Sequence, residues 1–136
     1  MFSLRESAAG IDDFLMYLVL GAVFLALFMA IYVRVTPYRE VKLIREGNLA
    51  AALSLSGAML GFVIPLSSAI EHSVALADMA LWSAIALVVQ LVAYGIARML
   101  IPGIAADIPA GKLAQGVFLG VLSLAAGILS AACMTY

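Results

Sequence analysis

Residues 47–70 read GNLAAALSLSGAMLGFVIPLSSAI, and these 24 residues carry no charged side chain. A helix rises about 1.5 Å per residue, so a run of this length spans the roughly 30 Å hydrocarbon core of a bilayer. The run is apolar on every side, which excludes the strict alternation of a membrane β-strand. In lipid, a helix satisfies its own backbone polar groups. The stretch therefore predicts a transmembrane helix.

Three further uncharged runs have a similar length, and they cover residues 14–33, 79–97 and 113–136. Of the 136 residues, 66% are apolar and 11% are charged, whereas about a quarter of the residues in a soluble domain are charged. A chain this short cannot bury so much apolar surface in its own interior. The net charge of −1 also argues against nucleic-acid binding, which needs a basic surface. The sequence predicts an all-α membrane protein with four transmembrane helices in a single membrane domain (residues 1–136).

A short interfacial helix is predicted after the first span, over residues 37–46. Thr36 is the expected N-cap, and Pro37 suits the first helical position because no backbone donor is needed there. Apolar side chains recur at helical spacing among charged ones, which is typical of a helix lying in the membrane interface. These apolar residues are Tyr38, Val41 and Ile44.

Glycine and proline mark the ends of the other segments. Gly47 is expected to end the interfacial helix and Asn48 to cap the second span. Pro102 and Gly103 are expected to end the third span. Residues 102–112 show little helical periodicity, so a loop is predicted there.

Basic residues are concentrated in the first and third connections between the spans. Six of the seven Lys and Arg lie there, and with four spans these two connections share one side of the membrane. Since basic loops stay in the cytoplasm, both termini and the second connection are predicted outside the cytoplasm, in a bacterial inner membrane. The first connection is also a candidate contact for anionic lipid or for a cytoplasmic or peripheral membrane protein, through Arg34, Arg39, Lys42 and Arg45.

The two halves of the chain resemble each other. Residues 13–17 align with 78–82 at an offset of 65, and residues 47–50 align with 111–114 at an offset of 64. Each half holds two spans, so the predicted repeat is parallel, with its pseudo-axis along the membrane normal. The alternative is a chance likeness between two hydrophobic hairpins. The two predicted units are residues 13–70 and residues 78–136.

Segments spread over nearly the whole chain resemble one group of membrane proteins: Tyr38–Glu40, Gly47–Ala52, Leu60–Phe62, Pro65–Ile70, Asp78, Trp82 and Gln90. On these residues the chain is similar to the YjfL-like inner-membrane proteins, also called the domain of unknown function 350 family. The resemblance implies paired two-helix units and a role in the bacterial envelope. The family has no settled activity, so the resemblance implies no catalytic residue.

Small residues repeat at a spacing of four in the second and fourth spans. In lipid, such GxxxG faces let helix backbones approach closely. They are interpreted either as packing within one chain or as a seam between copies in a homo-oligomer. Packing is preferred, because a four-helix protein needs such faces itself. The helix-packing glycines are Gly57, Gly61, Gly116, Gly120 and Gly127.

Pro65 and Gln90 are unusual residues inside the spans. Pro65 removes one helical hydrogen bond and is expected to kink the second span. Gln90 lies in the middle of the third span and needs a partner. It is interpreted as a hydrogen-bond link between helices, with the lining of a permeation path as the alternative. The expected partners are hydroxyls of the second span, of which the last three would also line a path: Ser54, Ser56, Ser67 and Ser68.

Three polar residues lie where the second and third spans reach the outer side: Glu71, His72 and Asp78. They are interpreted as solvated loop residues, with a proton site at His72 as the alternative, because an imidazole titrates near neutral pH. Trp82 and Tyr94 are expected at the interfaces as aromatic belt residues. No motif for a metal, a cofactor or catalysis is visible, and the single His and single Cys lie far apart in the sequence.

The sequence leaves two hypotheses about function. The preferred one is a non-enzymatic structural or interaction subunit of the envelope, because no charged residue falls in the middle of a span. The alternative is a channel or transporter for a proton, a small ion or a small solute. Four thin helices rich in Gly and Ala leave little lumen, so conduction would require a homo-oligomer.

Overall fold

The computed structural model describes residues 4–72 and 75–134. All regular structure in these residues is helical: α1 (Leu4–Val35), α2 (Glu40–Arg45), α3 (Leu49–His72), α4 (Leu76–Leu100), α5 (Ile104–Asp107) and α6 (Leu113–Cys133). Four of these helices, α1, α3, α4 and α6, are long and apolar enough to cross a membrane. The predicted all-α architecture with four transmembrane helices is confirmed. The end of the fourth predicted span, residues 135–136, lies outside the described residues.

α1 begins at Leu4, well before the uncharged run that starts at Phe14. Asp12 and Asp13 are exposed on its surface. A charged residue does not end a helix; it ends only the part that can lie in hydrocarbon. The 32 residues of α1 correspond to a length of about 48 Å. Its N-terminal turns therefore extend beyond the core of a bilayer.

α3 lies at the centre of the bundle, and its most extensive contact is with α6. The two backbones touch at glycines. A Cβ atom at Gly57 would overlap the Gly120 backbone, and one at Gly127 would overlap the Gly61 carbonyl. Gly116 lies similarly close to the first turn of α3. Within one chain, the structure thus places all five glycines on a single α3–α6 seam, where larger side chains do not fit.

α1 lies at the rim of the bundle and buries few of its residues. Phe28 stacks on Phe62 of α3 with the ring centroids 4.5 Å apart. Tyr32 packs edge-on against Tyr94 of α4, with the centroids 6.1 Å apart. Beside Phe28, α1 and α4 flank an apolar groove of about 210 Å³. A small number of side chains, two of them aromatic, therefore hold α1 to the bundle.

The first and third connections meet at one end of the bundle, called here the basic end (residues 34–48 and 98–112). Asn48 joins them. Its Oδ1 accepts a hydrogen bond from the Ala51 N–H at 3.0 Å, and its Nδ2 donates to the Ile108 carbonyl at 3.0 Å. The predicted cap of α3 at Asn48 is confirmed, and the same side chain fixes the two connections to each other.

Gly47 and Gly111 precede α3 and α6 with φ angles of 85° and 80°. Residues with a Cβ rarely adopt this left-handed conformation. Gly47 ends the helix before it, as predicted. The two glycines occupy equivalent positions in the predicted repeat, and the repeat itself stays a prediction.

The helix in the connection after α1 starts later than the sequence predicts. α2 begins at Glu40 rather than Pro37, and Thr36 does not cap it. The Thr36 N–H instead donates to the Tyr32 carbonyl at 3.1 Å, and the Thr36 hydroxyl donates to the Glu40 carboxylate. Thr36 thus belongs to the end of α1. A short non-helical stretch then changes the direction of the chain before α2 begins.

One buried residue of α2 differs from the sequence pattern, which counts Glu40 among the charged residues that surround the apolar ones. Val41 and Ile44 are exposed, whereas Glu40 is only 1% exposed. Tyr38, just before the helix, is buried. α2 packs on α3, and the bond from Thr36 turns a carboxyl group toward the bundle. Periodicity could not show this, because a bond outside the helix sets its orientation.

α5 forms where the sequence predicted a loop over residues 102–112. Ile104 and Ile108 are fully buried at the end of the bundle, and α5 contacts α4. A helix of four residues is too short to show hydrophobic periodicity. Burial of two isoleucines, rather than a repeating pattern, keeps this segment in place.

Candidate functional site

Gln90 is completely buried in the middle of α4. Its Nε2 donates two hydrogen bonds, to the carbonyl oxygens of Gly61 in α3 at 2.9 Å and of Ser123 in α6 at 3.0 Å. The amide therefore finds partners on two other helices, as a polar group in mid-membrane must. One side chain joins three of the four transmembrane helices.

Pro65 explains why the Gly61 carbonyl is available. In an α-helix each carbonyl accepts from the N–H four residues later, and four residues after Gly61 comes Pro65, which has no N–H. α3 stays helical through Pro65, and Gln90 supplies a donor from another helix. The sequence predicted a serine hydroxyl as the partner of Gln90, which was wrong: the partner lies in the expected helix but is a backbone carbonyl.

Gly61 also makes the space that this bond needs. A Cβ atom at Gly61 would lie 2.6 Å from Gln90 Nε2 and would overlap the Ser123 carbonyl. The absence of a side chain thus lets both neighbouring helices approach the same point of α3. Gly61 is therefore a packing residue and a part of the polar site at once.

The serines of α3 lie away from this point. Ser56 and Ser67 are exposed on the outside of the bundle, and Ser68 is half-buried. Ser54 is buried and bonds within its own helix. None of these hydroxyls bonds to Gln90, so the polar set that the sequence predicted is not one site in this chain.

The outer cluster lies at the end of the bundle opposite the basic end. Glu71 and His72 are exposed at the end of α3, and Asp78 is half-buried in the first turn of α4. His72 Nδ1 donates to the Ser68 carbonyl at 2.8 Å. Within the part of the chain that the structure describes, no three His, Cys, Asp or Glu side chains form a group that could hold a metal ion.

A different group of polar residues is buried together. Six buried side-chain polar atoms in the described residues make no hydrogen bond of good geometry. Such atoms are rare in proteins, because most buried polar groups have a protein or water partner. All six belong to one row of neighbouring side chains, called here the polar file. Its members are Gln90 Oε1, Ser123 Oγ, Tyr32 Oη, Tyr94 Oη, Tyr38 Oη and Glu40 Oε2.

The inner half of the polar file begins at Gln90. Ser123 accepts from Gln90 through its carbonyl, and its hydroxyl lies close to that of Tyr32 in α1. Tyr32 packs against the ring of Tyr94 in α4. Three transmembrane helices, α1, α4 and α6, therefore supply these side chains, and the row runs from mid-membrane toward the basic end.

The polar file ends at Glu40, at the start of α2 and at the basic end of the bundle. The hydroxyls of Tyr94 and Tyr38 lie close together, and the Glu40 carboxyl acts electrostatically on both of them and on Tyr32. Oε1 of Glu40 accepts from the Thr36 hydroxyl, while Oε2 has no partner. The file thus connects the middle of the bundle with its basic end.

Glu40 is an acid without a basic partner. No Lys or Arg of the described residues forms an ion pair with it, and Arg98 lies over the Tyr94 ring instead, 6.0 Å from the centroid. Burial raises the pKa of Glu40 to about 7, and the hydrogen bond from Thr36 offsets part of the rise. Burial also raises the pKa of the Tyr38 hydroxyl. Burial thus brings the pKa of the Glu40 carboxyl close to neutral pH.

Aromatic rings close the polar file on the side away from the basic end. Phe28 lies one helical turn before Tyr32 in α1, and their ring centroids are 5.4 Å apart. Phe28 also stacks on Phe62, which follows Gly61 in α3. The two rings are almost parallel, at 4°. The polar side chains therefore end against an apolar layer near the middle of the bundle.

Comparison with protein families matches residues 6–134 to the family described as Domain of Unknown Function (DUF350). The chain belongs to the DUF350 family. This DUF350 chain is similar to the UPF0719 inner membrane protein YjfL of two Escherichia coli strains, with 42% identity over 120 residues, which is 88% of this chain and 91% of the relative. It is also similar to the UPF0719 transmembrane protein YshE of Bacillus subtilis, with 32% identity over 78 residues, 57% of this chain and 58% of the relative. No solved structure matches significantly.

These matches confirm the resemblance seen in the sequence. Together with the four apolar helices, they show that the DUF350 chain is a multi-pass inner-membrane protein. The printed names of the relatives give a location and no activity. The function of the buried residues therefore has to be argued from their chemistry.

Sequence reasoning missed most of the polar file of this DUF350 chain. It places Tyr94 in an interfacial belt, although Tyr94 is only 3% exposed, and it assigns Glu40 to the polar surface of a helix. One signal was available: a proline inside a span frees the carbonyl four residues earlier, and an amide in another span is a natural donor to it. Ser123 and Tyr32 gave no signal, because hydroxyl groups are common in membrane helices.

Proposed function

We propose that this protein is a non-enzymatic interaction subunit of the inner membrane, which docks an acidic segment of a cytoplasmic or peripheral membrane protein on its basic end. The charge of the first connection supports this proposal. Four of its basic side chains are exposed, and none forms an ion pair with any of the described residues. They are Arg34, Arg39, Lys42 and Arg45, called here the basic surface.

Burial of Glu40 makes this surface more basic than the sequence suggests. With Glu40 turned inward, Glu46 is the one exposed acid among the described residues of the first connection. The remaining basic residues of this end are engaged: Lys112 pairs with Asp107 at 3.2 Å, and Arg98 lies over a tyrosine ring. The unpaired positive charge therefore belongs to the first connection.

Two bonds hold the basic surface in place. The Thr36 hydroxyl ties Glu40, at the start of α2, to the end of α1. Asn48 ties the far end of the connection to the Ile108 carbonyl. A charged surface that is already ordered loses less conformational entropy on binding than a mobile loop does. Anionic lipid attracts the same basic side chains by about 1 kcal/mol per residue. A test must therefore distinguish binding to lipid from binding to protein.

The orientation is part of this proposal. The positive-inside rule places the basic end in the cytoplasm, because it holds six of the seven Lys and Arg. The proposal also keeps the two tandem units, since Gly47 and Gly111 adopt the same unusual conformation at equivalent positions.

An oligomeric channel or transporter for a proton, a small ion or a small solute is the second candidate. The backbone contacts between α3 and α6 leave no lumen between these two helices, so conduction would need several copies of the chain. The exposed hydroxyls of Ser56 and Ser67 support such an assembly, because a polar group facing lipid gains by meeting a partner on another helix.

Photo-cross-linking in cells tests the docking proposal. A photoreactive amino acid at Val41, which is exposed within the basic end, should give one discrete protein adduct. The adduct should disappear when Arg39→Glu, Lys42→Glu and Arg45→Glu are combined, and it should persist in the matched control Lys112→Glu. Adducts with lipid alone, or an adduct that survives the triple charge reversal, would overturn the proposal. An adduct with a second copy of the chain would favour the oligomeric alternative.

A further inference from the structure

The unmet hydrogen-bonding groups of this protein are not scattered. All six such atoms in the described residues lie in the polar file. A buried water molecule typically serves about two to four polar groups of this kind. Neighbouring hydroxyl, amide and carboxyl oxygens that lack protein partners are the setting in which buried water is found.

We propose that the polar file holds a short chain of bound water and forms a proton path that is open only toward the basic end. Glu40 takes up and releases the proton at that end. The proposal goes beyond partner docking and is independent of it, because it concerns buried groups. A change of Glu40 to glutamine leaves the exposed basic surface as it is.

The surroundings of Glu40 favour a proton over a larger cation. Oε1 is occupied by the Thr36 hydroxyl, and Oε2 has essentially no accessible surface. A hydrated metal ion or an amine would need space and several oxygen ligands, whereas a proton needs neither. A carboxyl group that is buried without a cation is stabilised by binding a proton, which removes its charge.

Groups from three parts of the chain act on Glu40. α1 contributes Tyr32, the first connection contributes Tyr38, and α4 contributes Tyr94 with Arg98 over its ring. The titratable residues of α3 lie at its other end. Uncharged hydroxyls thus face the carboxyl directly; Arg98 is engaged with the Tyr94 ring, and the neighbouring Arg39 is exposed.

The hydroxyls of the file can pass a proton inward as well as bind water. Glu40 releases its carboxyl proton to a water molecule of the proposed chain, which leaves a carboxylate and a hydronium ion, and the reverse step restores the acid and the water. A tyrosine or serine hydroxyl accepts one proton while it donates its own. Tyr38, Tyr94 and Ser123 can therefore relay a proton and keep their own protonation state. The amide of Gln90 ends the row, because both hydrogens of its Nε2 are held by carbonyl oxygens.

The path is closed at mid-membrane. The stacked rings of Phe28 and Phe62 lie beyond Tyr32 on the side away from the basic end. No polar group of the file continues past them in the described residues. A proton that enters from the basic end must therefore leave by the same end, and a single chain should bind protons without carrying them across the bilayer.

Infrared difference spectroscopy on the full chain in lipid vesicles tests the binding site. Between acidic and alkaline buffer, the wild-type protein should show a carboxylic-acid C=O band that titrates near neutral pH and shifts in D2O. Glu40→Gln should abolish this band. Glu46→Gln, which changes an exposed acid in the same connection, should leave it intact. Tyr94→Phe, which removes one hydroxyl of the file and keeps the ring, should shift the band.

Two outcomes would overturn the proposal. One is a spectrum in which Glu40→Gln folds and leaves the neutral-pH carboxyl band unchanged. The other is found in a proton-flux assay on vesicles with an imposed pH gradient. Wild-type protein should dissipate the gradient no faster than empty vesicles, and Glu40→Gln should behave in the same way. Faster dissipation that depends on Glu40 would show an open path and contradict the closed end at Phe28 and Phe62.

Discussion

The Gln90 side chain donates to the Gly61 carbonyl oxygen at 2.9 Å and replaces a backbone donor that α3 lacks. That donor is absent because Pro65 occupies the position four residues later. A proline in one helix and an amide in another are therefore a matched pair. Without Gln90, the Gly61 carbonyl would lack the donor that Pro65 removes.

This pairing predicts the effect of removing the amide. Gln90→Leu should destabilise the folded protein in detergent by about 1–2 kcal/mol, since two carbonyls lose a donor and hydrogen bonds between membrane helices are individually modest. In a Pro65→Ala background the backbone N–H of residue 65 is restored, so the same change should cost less. Equilibrium unfolding of the two single variants and the double variant measures the coupling. Strictly additive costs would mean that Gln90 does not compensate for Pro65.

The α3–α6 seam predicts a contrast between two glycines. Gly127→Ala places a Cβ atom against the Gly61 carbonyl, and overpacking of this kind typically costs about 1–3 kcal/mol. Gly95→Ala is the matched control, because nothing lies within 4 Å of its Cβ position. The control should be neutral or stabilising by about 0.5–1 kcal/mol, as alanine is the better helix former. Thermal unfolding in detergent would compare them, and equal midpoints would remove the evidence for a close seam.

Glu40 predicts how stability depends on pH. Its pKa rises from 4.5 to about 7 in the folded protein, so the folded state binds the proton more tightly than the unfolded state does. The resulting stabilisation is complete below the unfolded pKa and is lost as the pH rises through the folded pKa. Wild type should therefore become less stable between about pH 5 and pH 8, by an amount on the order of 1–3 kcal/mol.

Glu40→Gln is the test variant for this pH dependence, because it keeps an acceptor for the Thr36 hydroxyl and cannot ionise. Its unfolding midpoint should lose most of the slope over the same range. Glu46→Gln should retain the wild-type slope. A wild-type protein whose stability rises with pH over this range would have the opposite sign and would be incompatible with a buried, raised-pKa carboxyl group.

Cysteine labelling in intact cells tests the proposed orientation. In a Cys133→Ser background, Ala110→Cys places an exposed thiol at the basic end, and Ala77→Cys places one at the opposite end. An impermeant thiol reagent should label the second variant in intact cells and the first only after permeabilisation. The reverse pattern would put the basic surface outside the cytoplasm.

The fold could be predicted from the sequence because lipid imposes simple rules. Uncharged length alone identifies the run at 47–70 as a span, and glycines at a spacing of four indicate close backbones. The position of Glu40 could not be predicted in this way. Its burial depends on Thr36, a residue outside its helix, and on tyrosines from α1 and α4 that only the tertiary structure brings together.

The partner of Gln90 was hidden for a related reason. A search among side chains finds serines, whereas the acceptors are the backbone carbonyls of Gly61 and Ser123. Every residue has such a carbonyl, so residue type does not distinguish the two that are used. Only the missing N–H of Pro65 gives one of them a sequence signature.

The central position of α3 has a consequence for biogenesis. The ribosome delivers a chain from its N-terminus, so α3 enters the membrane before α4 and α6 have been translated. Until then the Gly61 carbonyl lacks the Gln90 donor, and the glycine face of α3 has no α6 to cover it. The nascent chain therefore passes through a stage with an inserted but incomplete bundle. The full set of contacts around α3 can form only after α6 has been translated.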